Sequence, residues 1–231
     1  MAKRIIQQAR GKGSGTYRVR RNAFKHKLKF PSKLDGEGLI IRLLNSAGHS
    51  APLAKIKFSK GTFVIPAFEK MVEGEKIHFE TKEIKDGNIL RLRDIPVKTE
   101  VYCVESRPGD GGVFIKTGGS AGTVTRVVGE KVFVLMPSKK EKEFNPNCRA
   151  IIGRVAGGGR LEKPVAKAGM RYHLMKARGK LWPRTSAVKM NAIDHPFGSG
   201  RSKNPKSKIA KRNAPPGRKV GHLRPRRTGK R

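Results

Sequence analysis

One histidine in this sequence sits where its neighbours would hold it out. His195 lies within Met190-Asn191-Ala192-Ile193-Asp194-His195-Pro196-Phe197-Gly198-Ser199-Gly200. Pro196 fixes its own φ and restricts the residue before it, while Gly198 and Gly200 permit tight curvature. The imidazole then offers two ring nitrogens to phosphate, ribose or base, and Asp194 can steady the loop by accepting backbone N–H bonds. Because histidine titrates near neutrality, proton transfer is the other chemistry such a ring could do; a plainly structural histidine is the bland alternative. A catalytic base needs convergent partners. The chain has no Gly-x-Ser-x-Gly elbow, no P-loop and no His-Glu-x-x-His, and beyond residue 150 its only carboxylates are Glu162 and Asp194. The pattern favours positioning a partner over an enzymatic role.

Two further groups carry chemistry of the same kind. The run Gly157-Gly158-Gly159, followed by Arg160, removes side chains so that backbone N–H groups can approach phosphate; a mobile loop would read the same way. Trp182, the sole tryptophan, stands among Lys176, Arg178, Lys180 and Arg184. An aromatic among cations can stack on a base while the charges meet phosphates, or it can simply pack in a core. Cys103 and Cys148, 45 positions apart, read as small buried hydrophobes in a reducing compartment. With no Cys-x-x-Cys and no histidine pair at helical spacing, no metal site is expected, and no cofactor beyond Mg2+ carried by RNA.

The partner these groups imply follows from charge. The 231 residues hold 53 Lys+Arg against 17 Asp+Glu, a formal net charge of +36. Such an imbalance disfavours a compact state unless a polyanion neutralises it, and nucleic acid or an anionic membrane could do so. No apolar run of about 18 residues is present to span a bilayer, and the start Met1-Ala2-Lys3-Arg4 lacks the apolar stretch of a signal peptide. Residues 1–33 carry eleven basic residues and no acid; residues 34–150 carry nineteen basic and fifteen acidic; residues 151–231 carry twenty-three basic and two acidic. A nearly balanced middle is thus flanked by cationic ends. From 201 to 231 the chain is mostly Arg, Lys, Pro, Gly, Ser and Asn, too poor in apolar surface to offset its own entropy. Residues 1–33 and 201–231 are therefore expected to be disordered alone and ordered on RNA.

The middle must supply the scaffold. Short runs recur between turn residues: Gly38–Leu44, Ala54–Phe58, Thr62–Ile65, Lys76–Phe79 and Ile89–Leu92. Their length and spacing predict strands of a small OB-like barrel over 34–98. After Ile95-Pro96 a second set follows: Val101–Val104, Val113–Lys116, Thr123–Val128, Lys131–Met136 and Ala150–Gly153, with Gly129-Glu130 marking a tight hairpin. These suit an SH3-like barrel over 99–170, running into a helix around Lys163–Arg178. The expected fold is mainly β: OB-like barrel, SH3-like barrel, and extended basic N- and C-terminal arms (1–33 and 171–231).

Four stretches, in order, carry a resemblance: Ser50-Ala51-Pro52-Leu53-Ala54-Lys55; Val155-Ala156-Gly157-Gly158-Gly159-Arg160-Leu161-Glu162-Lys163-Pro164, continuing to Lys167-Ala168-Gly169 and Trp182-Pro183-Arg184; Met190–Gly200; and Ala214-Pro215-Pro216-Gly217-Arg218-Lys219-Val220-Gly221, followed by Arg226-Arg227-Thr228-Gly229. Together they resemble the universal large-subunit ribosomal protein L-two family in its archaeal and eukaryotic form; bacterial members usually have His-Pro-His where this chain has His195-Pro196-Phe197. The chain departs from the family's usual residues at Ala187, Lys189, Ala192 and Ser199, and in 201–206.

The resemblance implies binding to large-subunit rRNA near the peptidyl transferase centre. It also implies support of subunit joining, tRNA binding and peptide-bond formation. Its partners would be that rRNA, neighbouring ribosomal proteins and the small subunit, with no membrane and no homo-oligomer, in the cytoplasm on the ribosome. The candidate RNA contacts are Arg10, Lys12, Arg18, Arg20 and Arg21 at the start; Lys55; Gly157, Gly158, Gly159 and Arg160; and Lys167, Arg171, Lys176 and Arg178. Further along they are Trp182, Arg184, Lys189, Asn191, Asp194 and His195, then Arg201, Arg218, Lys219, Arg226 and Arg227.

Overall fold

The computed structural model describes residues 4–81, 83–200 and 207–224. They are mainly β, in antiparallel sheets. Strands β1 (Glu37–Leu44), β2 (Leu53–Phe58), β3 (Gly61–Pro66) and β4 (Lys76–His78) form a four-stranded sheet in the order β3-β2-β1-β4. Alternation explains why these residues are strands: Ala54 and Ile56 of β2 turn inward while Lys55 and Lys57 face solvent, and Leu53 is buried on the opposite face. A bulge between Ile40 and Arg42 shifts the β1–β2 register and bends the pair.

Six more strands form the second sheet. They are β5 (Ile89–Arg91), β6 (Glu100–Tyr102), β7 (Gly122–Val128), β8 (Lys131–Leu135), β9 (Glu141–Phe144) and β10 (Arg149–Ile152), ordered β5-β10-β6-β7-β8-β9. The β7–β8 hairpin turns at Gly129-Glu130 as expected, with Gly129 at φ 54. The strand at Ile89, which the sequence groups with the first set, pairs along its length with β10 and meets the first set through a parallel bridge from Ile89 to Phe79 and the Arg91–Glu80 ion pair. Ile89 and Leu90 of β5 and all four residues of β10 are buried, and their apolar side chains belong to one core shared by the two sheets. Ile40, Ile56, Ile65, Ile77, Leu90, Val101, Val124, Val134 and Ile151 lie in that single cluster. Tyr102 is wholly buried in it and donates its hydroxyl hydrogen to the Pro66 carbonyl at 3.2 Å.

The segment expected as a strand at Val113–Lys116 is corrected to a single bridge between Val104 and Phe114. Cys103 and Ile115 take positive φ, 49 and 55, and a ladder cannot continue through left-handed residues. The expectation of a free N-terminal arm also needs correction near its end. Phe30 is fully buried, its N–H donates to the Gly111 carbonyl at 3.1 Å, and Lys29 bridges to Val64. Burying one phenylalanine contributes roughly 1.5–3 kcal/mol, enough to tie this stretch to the sheets.

Beyond the sheets lie two helices, α1 (Ile6–Gly11) and α2 (Ala168–Ala177), and a parallel pair, β11 (Ile209–Ala210) with β12 (His222–Leu223). The chain divides into two compact units, one of Arg20–Arg178 and one of Met1–Val19 with Gly179–Arg231. Nearly all buried hydrophobic residues fall in the first; the described part of the second buries only Ile5 and Ala210. Among the described residues no helix is long and apolar enough to cross a membrane.

Candidate nucleic-acid interface

In the larger unit, three loops meet beside β10. The Gly157–Arg160 segment leaves β10 through Val155 and starts a 3-10 turn, with Gly157 at φ 86. Gly158 lies against Gly119: a Cβ on Gly119 would come within van der Waals overlap of the Gly158 backbone. Gly119 N–H donates to the Val155 carbonyl at 2.9 Å, Gly118 N–H donates to Ser50 Oγ at 2.9 Å, and Arg160 Nε donates to the Gly118 carbonyl at 3.0 Å. These bonds tie the segment down, so it is not a loose loop. The close approach requires a glycine at Gly119, while Cβ atoms on Gly158 or Gly159 would meet only ordinary contacts and Gly157 is favoured by its positive φ. What remains exposed is a ridge carrying Arg160 and Leu161, the latter 78% exposed. Sequence reading singled out the glycines but gave no role to Ser50, Gly118 and Gly119; the Gly-Gly pair after Thr117 was the available signal.

The other candidates of this unit lie on open surface. Lys55 faces outward from β2, paired across to Arg42 of β1 and Val64 of β3. Helix α2 carries Arg171 and Lys176, follows Lys167 and ends at Arg178; it has no acidic residue and no buried residue. Tyr172 lies there with Lys176 Nζ over its ring at 5.2 Å. Arg20 and Arg21 open a 3-10 turn, Arg21–Phe24, which a small polar latch holds in place. Gly48 N–H donates to the Ala23 carbonyl at 2.8 Å, and Ser46 Oγ donates its one proton to the same oxygen at 3.1 Å. The 2.8 Å contact from Ser46 Oγ to His49 Nδ1 therefore needs the imidazole to supply the hydrogen. Burial first, then the nearby His26 and Lys116, holds His49 below the ordinary histidine range. Phe24 meets the His49 ring edge-on at 4.9 Å and stays 44% exposed.

In the smaller unit, Arg10 sits on α1 with Lys12 just after it, and Arg18 follows. Trp182 is half-buried and Arg184 exposed; Lys189 ends a 3-10 turn, Ala187–Lys189. The His195 loop is closed by its own backbone. Asp194 and His195 N–H both donate to the Asn191 carbonyl, at 3.0 and 3.2 Å, and Ser199 N–H donates to the Met190 carbonyl at 3.2 Å. Gly198 is required here, since a Cβ would strike the Asn191 carbonyl.

The Phe197 N–H donates to His195 Nδ1 at 3.0 Å, and the two rings lie 5.1 Å apart. That bond uses the Nδ1 lone pair, so the neutral ring carries its proton on Nε2. His195 therefore offers a partner one N–H donor in a fixed direction. Arg218 and Lys219 are exposed on the turn after Pro215-Pro216. Arg201, Arg226 and Arg227 lie outside the described residues.

The electrostatics separate the surfaces. Between Asp35 and Arg154 acids and bases pair repeatedly, for example Arg154–Glu100 at 2.7 Å and Lys76–Glu37 at 2.8 Å. The balanced middle neutralises itself, and exposed pairs of this kind add little stability. The cations of the two ends have no comparable supply of carboxylates. Rows of cations, exposed aromatics and one fixed N–H donor suit phosphates, bases and ribose.

Comparison with known proteins bears on the same regions. Residues 85–217 match the family model described as Ribosomal Proteins L2, C-terminal domain. The chain is 46% identical over 240 residues to a protein of Methanococcoides burtonii named large ribosomal subunit protein uL2, covering all of both chains. It is 45% identical over 235 residues to the protein of that name from Archaeoglobus fulgidus, covering 99% of each, and 44% identical over 243 residues to that from Methanococcus maripaludis, covering all of both.

Proposed function

Since the chain belongs to the large ribosomal subunit protein uL2 family, we propose that it is a structural constituent of the large ribosomal subunit, acting in translation by binding large-subunit rRNA near the peptidyl transferase centre. There it supports subunit association, tRNA binding and peptide-bond formation without being an enzyme. Its partners are that rRNA, neighbouring ribosomal proteins and the small subunit at an intersubunit contact, and Mg2+ enters only as an ion carried by RNA. The two sheets are read as remodelled OB-like and SH3-like barrels. The observation that carries the reading is the contrast between the units. Among its described residues the smaller one exposes cations over buried hydrophobics limited to Ile5 and Ala210, so the free energy that orders it has to come from a partner. Similarity along the full length supports treating these ends as part of the function.

Within this reading His195 positions RNA rather than moving protons. Its Nδ1 is occupied and its Nε2 already bears the hydrogen, which makes it a donor to a phosphate, ribose or base oxygen. The test is a pair of variants. His195→Gln keeps an N–H donor near Nε2 and should retain assembly and subunit joining. His195→Ala should weaken both, while peptide transfer in particles that do assemble falls far less than the roughly 10²–10⁴-fold expected for a lost general acid–base. Loss of that full factor in both variants, with a flattened pH profile, would refute the positioning role. A free RNA-binding or chaperone module is the competing function; a high-salt wash that strips the chain from large subunits would favour it.

A further inference from the structure

Within the smaller unit a cleft of about 520 Å³ opens beside His195. Arg4, Gln8, His195 and Arg218 give it polar walls, and Ile193 and Pro216 are among its apolar ones; none of the described residues that line it is a carboxylate. Gly217, at φ 88, brings the Pro215–Lys219 turn close over α1, where a Cβ would meet the Gln8 amide at 2.7 Å. The volume exceeds what a bare anion fills and falls within the range of small-ligand pockets. Two guanidiniums and an imidazole N–H match the oxygens of a phosphate. Ile193, 54% exposed beside two prolines, offers an apolar wall of the kind a ribose or unstacked base can cover. RNA is read in single-stranded segments by splaying out nucleotides in this way.

We infer that this cleft receives one extruded nucleotide of the RNA. Its phosphate lies toward Arg4 and Arg218, its sugar and base against Ile193 and Pro216, and His195 donates to it from Nε2. The inference rests on the rRNA reading above and narrows it: the surrounding cations follow the backbone, and this site takes a single unit.

The test uses large subunits carrying the whole chain with Ile193→Cys, to which an iron chelate is tethered for hydroxyl-radical cleavage. Cys103 and Cys148 are buried, which pushes their thiols up to about 12 and about 11, so the introduced thiol is the one that reacts at neutral pH. Cleavage should centre on one or two neighbouring nucleotides, one of them unpaired yet shielded from base- and ribose-modifying reagents. In Arg4→Gln/Arg218→Gln particles its reactivity should rise about tenfold, as for loss of a charge-assisted hydrogen bond; Arg212→Gln, outside the cleft, should leave it unchanged. If the double variant does not assemble, Arg218→Gln alone is read by the same criteria. Cleavage confined to a paired helix, or a nucleotide indifferent to both arginines, overturns the inference and leaves the rRNA reading standing. A chain that does not stay with large subunits overturns both.

Discussion

Replacing Glu105 by alanine should unfold the larger unit's grip on the segment that leads into its first strand. Glu105 is fully buried, and both of its oxygens are committed. Oε1 accepts from Arg149 Nη2 at 2.7 Å and from Gly111 N–H at 3.0 Å; Oε2 accepts from Arg149 N–H at 2.9 Å and from its Nε at 3.3 Å. Arg149, 4% exposed, lies with its guanidinium 5.1 Å from the Phe30 ring centroid. Removing the carboxylate strands a buried cation and leaves two backbone N–H groups without acceptors. Breaking a buried pair costs about 3–5 kcal/mol, a shift on the order of 2 M in urea midpoint for a unit of this size. In urea titrations followed by far-ultraviolet circular dichroism, Glu105→Ala should show that loss, and the Phe30 amide, bonded to Gly111, should exchange faster. Glu105→Ala/Arg149→Met should be milder than the single change, because the stranded charge is gone and only the orphaned amides remain. A single variant costing under about 1 kcal/mol, or a double variant no milder, would refute the reasoning.

Three other outcomes are expected. Binding of the free chain to large-subunit rRNA should weaken with salt at a logarithmic slope steeper than roughly −6, each neutralised phosphate contributing about −0.7 to −0.9; a flat response in filter binding removes the electrostatic account. In the free chain, amides of residues 4–19 and 207–224 should exchange rapidly and those of 29 and 30 slowly, and protection throughout the first group without RNA would show that the smaller unit folds alone. His49 is held below the ordinary histidine value in the folded state, so the unfolded chain takes up its proton first. The stability this gives is whole above the unfolded value of about 6.5 and is lost as pH falls from there through the folded value. Denaturation midpoints measured from pH 7.5 to 5 should therefore drop more for the native chain than for His49→Gln, and equal drops would exclude the latch as their source.

Much of this was legible in the residues, and the misses have physical causes. Alternation in Ala54–Phe58 and the turn at Gly129-Glu130 located strands and a hairpin because one face of each strand is dry. Glu141–Phe144 escaped notice as a strand because it is an edge with only Phe144 turned inward, so its pattern is almost wholly polar. The helix expected around Lys163–Arg178 forms at Ala168–Ala177, after Pro164 has been passed. Helix α1 is too short to show a period. For the site, the sequence could mark His195 as presented but not which of its nitrogens was free, since that depends on where the Phe197 N–H points. The sequence marks glycines 157–159 for their freedom toward phosphate; the Gly118-Gly119 pair signals a close approach somewhere, but only the fold shows that Gly119, nearly forty residues earlier, packs beside Gly158.

The pairing of β5 with β10 has a consequence for the order of events during synthesis. Ile89 finds its partner Ile151 only after some sixty further residues have been made, and closing so long a loop is slow compared with forming a hairpin. Until Ile152 has left the ribosome that makes it, β5 exposes a row of N–H and C=O groups that any neighbouring strand could capture. The cationic N-terminal end is already out at that moment. A nascent chain of this design is thus able to touch RNA before its sheets are finished, and a product that stops short of Arg149 would retain the RNA-seeking end together with an open, aggregation-prone edge.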